Sequence, residues 1–319
     1  MKFKHTFNVF IDNFSVTFKQ LLYRLIILVI AAVFFTLIIT PFKNALTGSQ
    51  DYVNLVNGIK GFWHHLVQGR PTDLGISTEQ IKTAFDNLLV LVSNNRANIA
   101  WGIVGVLAVY IVEKFFTGLG NYAAAAVIND KMALHANSSF CLSLIRNLKE
   151  ACLYNLMYVP LSVIYDIGIV FGLYFLVFKG LFFVFVPFQL CLFVTLAVFA
   201  ISVKMMFTTD WLPSLIRGKK GQGKAFLYTF DRRRKNSANV LANFFVITML
   251  IFILNVAGAV FTLGSGLLIT VPSSYIILVC FEFVNYYDRE ELKYFIDKKT
   301  IIKPEKERPL TREEFFRGE

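Results

Sequence analysis

The sequence predicts an all-α integral membrane protein with six transmembrane helices, and three observations predict it. Hydrophobic residues make up 56% of the 319-residue chain and charged residues only 17%, against about 45–50% and about 25% in ordinary soluble domains. Six apolar runs are each long enough to cross about 30 Å of hydrocarbon as a helix. None of them alternates with the period of two that a strand barrel requires. Backbone groups in lipid must find their partners inside the structure, so helices are the reading that remains.

The runs are residues 21–41, 99–118, 152–178, 181–207, 238–262 and 267–286. The first follows a basic start, as a secretory leader would, but about 20 residues precede it and no small-x-small cleavage pattern follows. It therefore reads as a retained span. Residues 42–98 form an extracytoplasmic helical insertion within the first hairpin. In it Tyr52, Val56, Ile59, Trp63 and Leu66 share one helical face, as do Ile81, Phe85, Leu88, Leu89 and Val92, so two amphipathic helices are expected to lie on the outer leaflet or cap the bundle. The last four spans make two hairpins with tight tips at 179–180 and 263–266. Residues 287–319 form a cytoplasmic tail in which 288–298 is expected to continue the last span as a helix. Beyond it, Thr311 and Glu314 fit a capping box for a short helix presenting Leu310, Phe315 and Phe316 to a protein partner.

Three direct repeats are also legible. An amphipathic stretch with apolar residues four apart precedes each odd-numbered span: Phe10 and Phe14, Phe140 and Leu144, Phe226 and Phe230. Each even-numbered span ends near a polar residue followed by an aromatic one: Asn121-Tyr122, Asp210-Trp211, Asn285-Tyr286. The unit would be an interfacial helix and a helical hairpin, with all three hairpins pointing the same way.

Orientation follows from the basic residues. With the N-terminus inside, all of the 32 lysines and arginines face the cytoplasm except Lys43, Lys60, Arg70, Lys82, Arg96 and Lys179, as the positive-inside rule demands. The net charge of +11 is thus an orientation signal, and no nucleic-acid partner is expected. The four cysteines, Cys141, Cys152, Cys191 and Cys280, lie in spans or on the inner side, so no disulfide framework is expected.

The candidate intramembrane polar site is Asp166 with Gln189 and Asn255. Asp166 lies near the centre of the third span, where a charged aspartate costs roughly 2.5 to 3.5 kcal/mol on insertion scales and is a functional candidate by default. Pro160 frees backbone carbonyls nearby, and Gly168 with Gly172 would allow a close helix approach. The bland alternative is an uncharged Asp166 making one interhelical hydrogen bond.

A second candidate is a surface for anionic lipid headgroups, formed by Lys219, Lys220, Lys224, Arg232, Arg233, Arg234 and Lys235, each basic residue contributing about 1 kcal/mol near an anionic leaflet. The same segment, GKKGQGKA, approaches a phosphate-binding P-loop, but Ala225 stands where the magnesium-binding Ser or Thr would be and no buried strand precedes it. His64 and His65 are adjacent and so point about 100° apart on a helix, unlike a zinc pair. No catalytic, cofactor-binding or metal-ligating residue is assigned.

The stretch SFCLSLIRNLKEACLYNL, carrying Ser139-Phe140, Asn147, Lys149 and Ala151, resembles an element of bacterial multi-pass membrane proteins. It is similar to the YesL-like family and to the membrane domain attached to some glycerophosphodiester phosphodiesterases, where such a helix precedes a span in five- or six-span folds. The resemblance covers about residues 120–180. It implies a bacterial cytoplasmic membrane and lipid or envelope work. No phosphodiesterase domain is present in this sequence, so that activity does not carry over.

The expected function is a multi-pass, non-enzymatic component that binds or moves a lipid or small solute, or assists a membrane complex. The competing readings are a secondary transporter with Asp166 as proton or cation site, and a membrane-embedded enzyme acting on lipid. A polar cavity reaching Asp166 would favour the transporter, and clustered acid, base or metal groups at one interface would favour the enzyme.

Overall fold

The computed structural model describes residues 2–47, 50–68, 77–84, 86–87, 96–180, 186–230, 237–297 and 300–302. These are helical almost throughout: α1 (Lys2–Asp12), α2 (Phe14–Thr47), α3 (Gln50–Val67), α4 (residues 77–84), α5 (Arg96–Leu134), α6 (Phe140–Arg146) and α7 (Leu148–Leu173), which a π-helical turn (Tyr174–Gly180) continues. Then come α8 (Val186–Thr208), α9 (Trp211–Ile216), α10 (Gln222–Tyr228), α11 (Ser237–Phe261) and α12 (Leu267–Arg289). A two-residue antiparallel ribbon pairs β1 (Tyr294–Phe295) with β2 (Ile301–Ile302).

Six stretches are long and apolar enough to span a membrane: Phe14–Thr40, Ala100–Leu134, Leu148–Val177, Cys191–Ile216, Ala238–Phe261 and Leu267–Arg289. The chain is an all-α, multi-pass membrane protein.

Contacts divide it into two units, Met1–Leu25 with Phe115–Glu319, and Ile26–Lys114. In the smaller unit, α3 and α4 approach closely at Gly58, where a Cβ would come 2.9 Å from Ile81. Of the apolar faces expected there, Tyr52, Val56 and Ile81 are half-buried while Ile59 and Trp63 are exposed. The side chains of Leu66, Phe85, Leu88, Leu89 and Val92 lie outside the described ones. Gly105 plays the same part between α5 and α2, with Ile38 as its neighbour at 2.9 Å.

In the larger unit, α12 is the central post. Its apolar window is 61% buried, against 6–17% for the other five. Phe3 of α1 stacks on Phe281 at 5.6 Å and Phe244 of α11 meets the same ring at 4.9 Å. Trp211, at the start of α9, collects Tyr154 of α7 at 5.2 Å and Phe226 of α10 at 4.8 Å. The core therefore gathers at the end of this unit that carries the short helices, while apolar side chains farther along α7 and α11, such as Ile164, Val170 and Val260, remain exposed as lipid-facing residues would.

Each of three short helices stops at a polar residue that turns its bonds backward. Asn13 and Asn147 send their N–H groups to Val9 and Ser143, and Thr229 sends its own to Phe226. Their side chains bond to the same three residues. A polar side chain with a local partner competes with the helical ladder, and each of the three short helices ends there.

Three expectations are corrected. The second span does not end at 118: α5 runs to Leu134 because the polar-looking stretch after Gly120 contains Ala123, Ala124, Ala125 and Ala126, strong helix formers that are almost fully buried. Residues 288–298 do not continue the last span. Helix α12 stops at Arg289, Glu291 adopts a left-handed φ of 51°, and the Leu292 N–H returns to Tyr287 O at 2.9 Å. Gly168 and Gly172 mark no helix contact, since a Cβ at either would meet nothing within 4 Å among the described residues. The helix expected after Thr311 lies outside the described residues.

Candidate functional site

Asp166 lies on the α7 face that meets α8, with the neighbouring Tyr165 hydroxyl donating to Ala200 O across the hairpin at 2.9 Å. The Lys204 ammonium donates to Asp166 Oδ1 at 2.6 Å and to Ser162 Oγ at 2.7 Å, one turn away. It stands 6.0 Å from the Tyr165 ring centroid. The lysine side chain is 13% exposed and the aspartate 31%. This is an ion pair between two apolar spans, in which each charge reduces the desolvation cost of the other.

Gln189 and Asn255 stand elsewhere along the helices. Gln189 is fifteen residues from Lys204 on α8, or about 22 Å of helix. Asn255 donates to Ile251 O at 2.9 Å and to Ser274 Oγ on α12 at 3.0 Å. Since Phe199 and Phe245 set the register of α8 against α11, Gln189 and Asn255 fall at the same level, each ten residues from that aromatic pair.

Two groups were not anticipated. Lys204 reads in sequence as one more topology charge, yet it is the partner of Asp166. Glu282 is a buried acid on α12, 8% exposed, and the apolar run around it, which reads simply as the end of a span, conceals it.

The basic segment gains a definite setting. A cavity of about 790 Å³ opens between the end of α5, the α6–α7 junction and the loop from α9 to α10. Arg146, Arg217, Lys219 and Lys220 line it together with Asp130 and Glu150. Arg146 pairs with Asp130 at 3.2 Å, and the Tyr122 hydroxyl donates to Glu150 at 3.1 Å. Lys224 is exposed on α10, Ala225 beside it is fully buried, and Arg232, Arg233, Arg234 and Lys235 lie outside the described residues. The buried methyl of Ala225 cannot serve as a ligand to a phosphate-bound ion.

A charged network holds the cavity loop to the end of α12. The Tyr228 hydroxyl donates to Glu290, and Arg289 donates to Asp210 as well as pairing with Glu290 at 3.3 Å. The Lys220 ammonium lies 3.1 Å from the Tyr228 ring centroid and the Arg289 guanidinium 4.9 Å from it. Burial, followed by the bond to Glu290, pushes the Tyr228 phenol well above the ordinary tyrosine value.

No protein-family model, no curated protein and no solved structure matches this chain.

Proposed function

We propose that this multi-pass membrane protein is non-enzymatic and binds or moves a lipid, holding anionic headgroups at the end of the fold that carries the short helices. The observation behind the reading is the concentration of basic side chains there: Arg146, Arg217, Lys219 and Lys220 around one cavity and Lys224 beside it, with Arg232, Arg233, Arg234 and Lys235 following in sequence. Headgroup attraction of this kind adds about 1 kcal/mol per basic residue. The distribution of basic residues argues that this end and both termini face the cytoplasm and that residues 42–98 lie outside. The resemblance over residues 120–180 favours a bacterial cell membrane.

The threefold order of short helix and two long helices, with Asn13, Asn147 and Thr229 at equivalent breaks, supports direct repeats about an axis along the membrane normal. The segment beyond residue 302 is a candidate for docking a protein partner.

Purified protein, stripped of lipid and examined by native mass spectrometry, should retain phosphatidylglycerol in preference to phosphatidylcholine. Equal retention of the two would overturn the reading. A second reading rests on a different observation, the Lys204–Asp166 pair between two spans: a secondary transporter in which a proton or cation competes with the lysine for the carboxylate.

A further inference from the structure

We propose that the cavity at the end of α5 is a site for one glycerophospholipid with an ionised phosphate, whose headgroup sits among Arg217, Lys219 and Lys220 and whose acyl chains follow the exposed apolar stripe of α7. This rests on the lipid-binding reading above and adds to it a location and a stoichiometry.

The cations are poised for an anion. Arg217 lies 5.5 Å from the Tyr287 ring centroid, and its guanidinium donates to no acceptor among the described residues. Lys219 makes no hydrogen bond or ion pair among them either. A guanidinium with all its N–H groups to spare suits the oxygens of a phosphate, to which it binds in a two-pronged, charge-assisted way. The two acids of the cavity wall are already engaged, Asp130 by Arg146 and by Ser138 at 2.8 Å, Glu150 by the Tyr122 hydroxyl. Four basic and two acidic side chains line the cavity, so its net charge is positive.

The loop that presents these cations is held in place. A Cβ at Gly218 would come 2.6 Å from Ser214 O and 2.7 Å from the Tyr286 hydroxyl, so only glycine lets the chain lie this close. Lys219 follows in a left-handed conformation, φ 47°, and the Lys220 N–H returns to Ser214 O at 3.2 Å. Arg217 and Lys219 thus flank a pinned residue, and their backbone positions need no ordering when an anion arrives.

The remaining wall points to an amphiphile. Leu134 and Leu153 line the cavity and are 75% and 45% exposed. Leu153 begins a stripe that continues through Leu156, Leu161 and Ile164, all exposed and all on one face of α7. From Leu153 to Ile164 the helix rises about 16 Å, close to the half-thickness of a hydrocarbon core of about 30 Å. The volume, about 790 Å³, falls within the usual range of ligand pockets.

The test uses the delipidated full chain in detergent, titrated with dioleoyl phosphatidic acid and separately with inorganic phosphate, with bound species counted by native mass spectrometry. One phosphatidic acid should bind per chain at low lipid concentration. Arg217→Gln and Lys219→Gln should each weaken it about tenfold, Lys19→Gln on the exposed side of α2 should not, and Leu153→Gln should weaken the lipid while leaving phosphate unaffected. Phosphate binding as tight as the lipid would replace the lipid site by a free-anion site. Undiminished binding in both Arg217→Gln and Lys219→Gln, with anionic lipid still preferred, would overturn the site and leave the broader reading standing. A parent protein that binds no phosphatidic acid and shows no anionic preference would overturn both.

Discussion

The Lys204 ammonium and the Asp166 carboxylate lie 2.6 Å apart and join α7 to α8 within the apolar part of the hairpin. Removing one member leaves the other without its counter-charge, which costs more than losing an ordinary hydrogen bond. Asp166→Asn would be harmless if the aspartate were an uncharged hydrogen-bonding partner, but here it deprives Lys204 of its ion.

Asp166→Asn and Lys204→Met should each lower stability, and the double variant should cost less than the two together, with a coupling of about 0.5 to 3 kcal/mol. Thermal unfolding of the four proteins in one detergent checks this. Strict additivity would show that the pair contributes nothing to the joining of α7 and α8.

Arg289→Met should be severe. It takes the guanidinium away from the carboxylate of Asp210, which is 3% exposed, and breaking a buried pair from one side typically costs about 3 to 5 kcal/mol. The loss should be reduced in the double variant with Asp210→Asn, as read from the same thermal transitions. An Arg289→Met protein as stable as the parent would show that Asp210 finds other solvation.

Orientation is tested by labelling in a cysteine-free background. Lys82 on α4 and Gly223 on α10 are both exposed. An impermeant thiol reagent added to intact cells should modify a cysteine placed at Lys82 and spare one placed at Gly223. The opposite pattern would invert the topology and put the basic cavity outside.

The six spans were legible because the length and apolarity that a membrane requires are properties of single segments. What lay between segments was harder to read. With the hairpin tip taken at 179–180, the residue opposite Asp166 would be near 193, whereas its partner is Lys204, because the helix continues as a π-helical turn through Tyr174–Gly180, where the tip was expected. The continuation of the helix past the apparent tip leaves no mark on hydropathy. Glu282 was overlooked for a related reason: its neighbours are apolar and aromatic, and an average over a window hides one acid. The basic residues were legible as a charged segment, but their convergence with Arg146 and with the exposed leucines of α7 depends on where α5 ends, and the apolar run that marks the second span stops at 118 while the helix continues to Leu134. Gly168 and Gly172 illustrate the opposite error, a spacing that allows close approach where no helix approaches.

Because α12 is the most deeply buried of the spans and α1 packs directly on it, the chain's order of synthesis runs against its order of assembly. The ribosome makes α1 first and reaches Leu267 about 265 residues later. At roughly 5 to 20 residues per second that is an interval on the order of tens of seconds. Throughout it Phe3 lacks its stacking partner, and the pocket that Trp211 shares with Tyr154 and Phe226 has no central post to lean on. Until α12 is made, the spans are held only by contacts that do not involve it, such as the Lys204–Asp166 pair and the Phe199–Phe245 contact, and nascent chains arrested just before α12 should be the ones that membrane quality-control proteases degrade most readily.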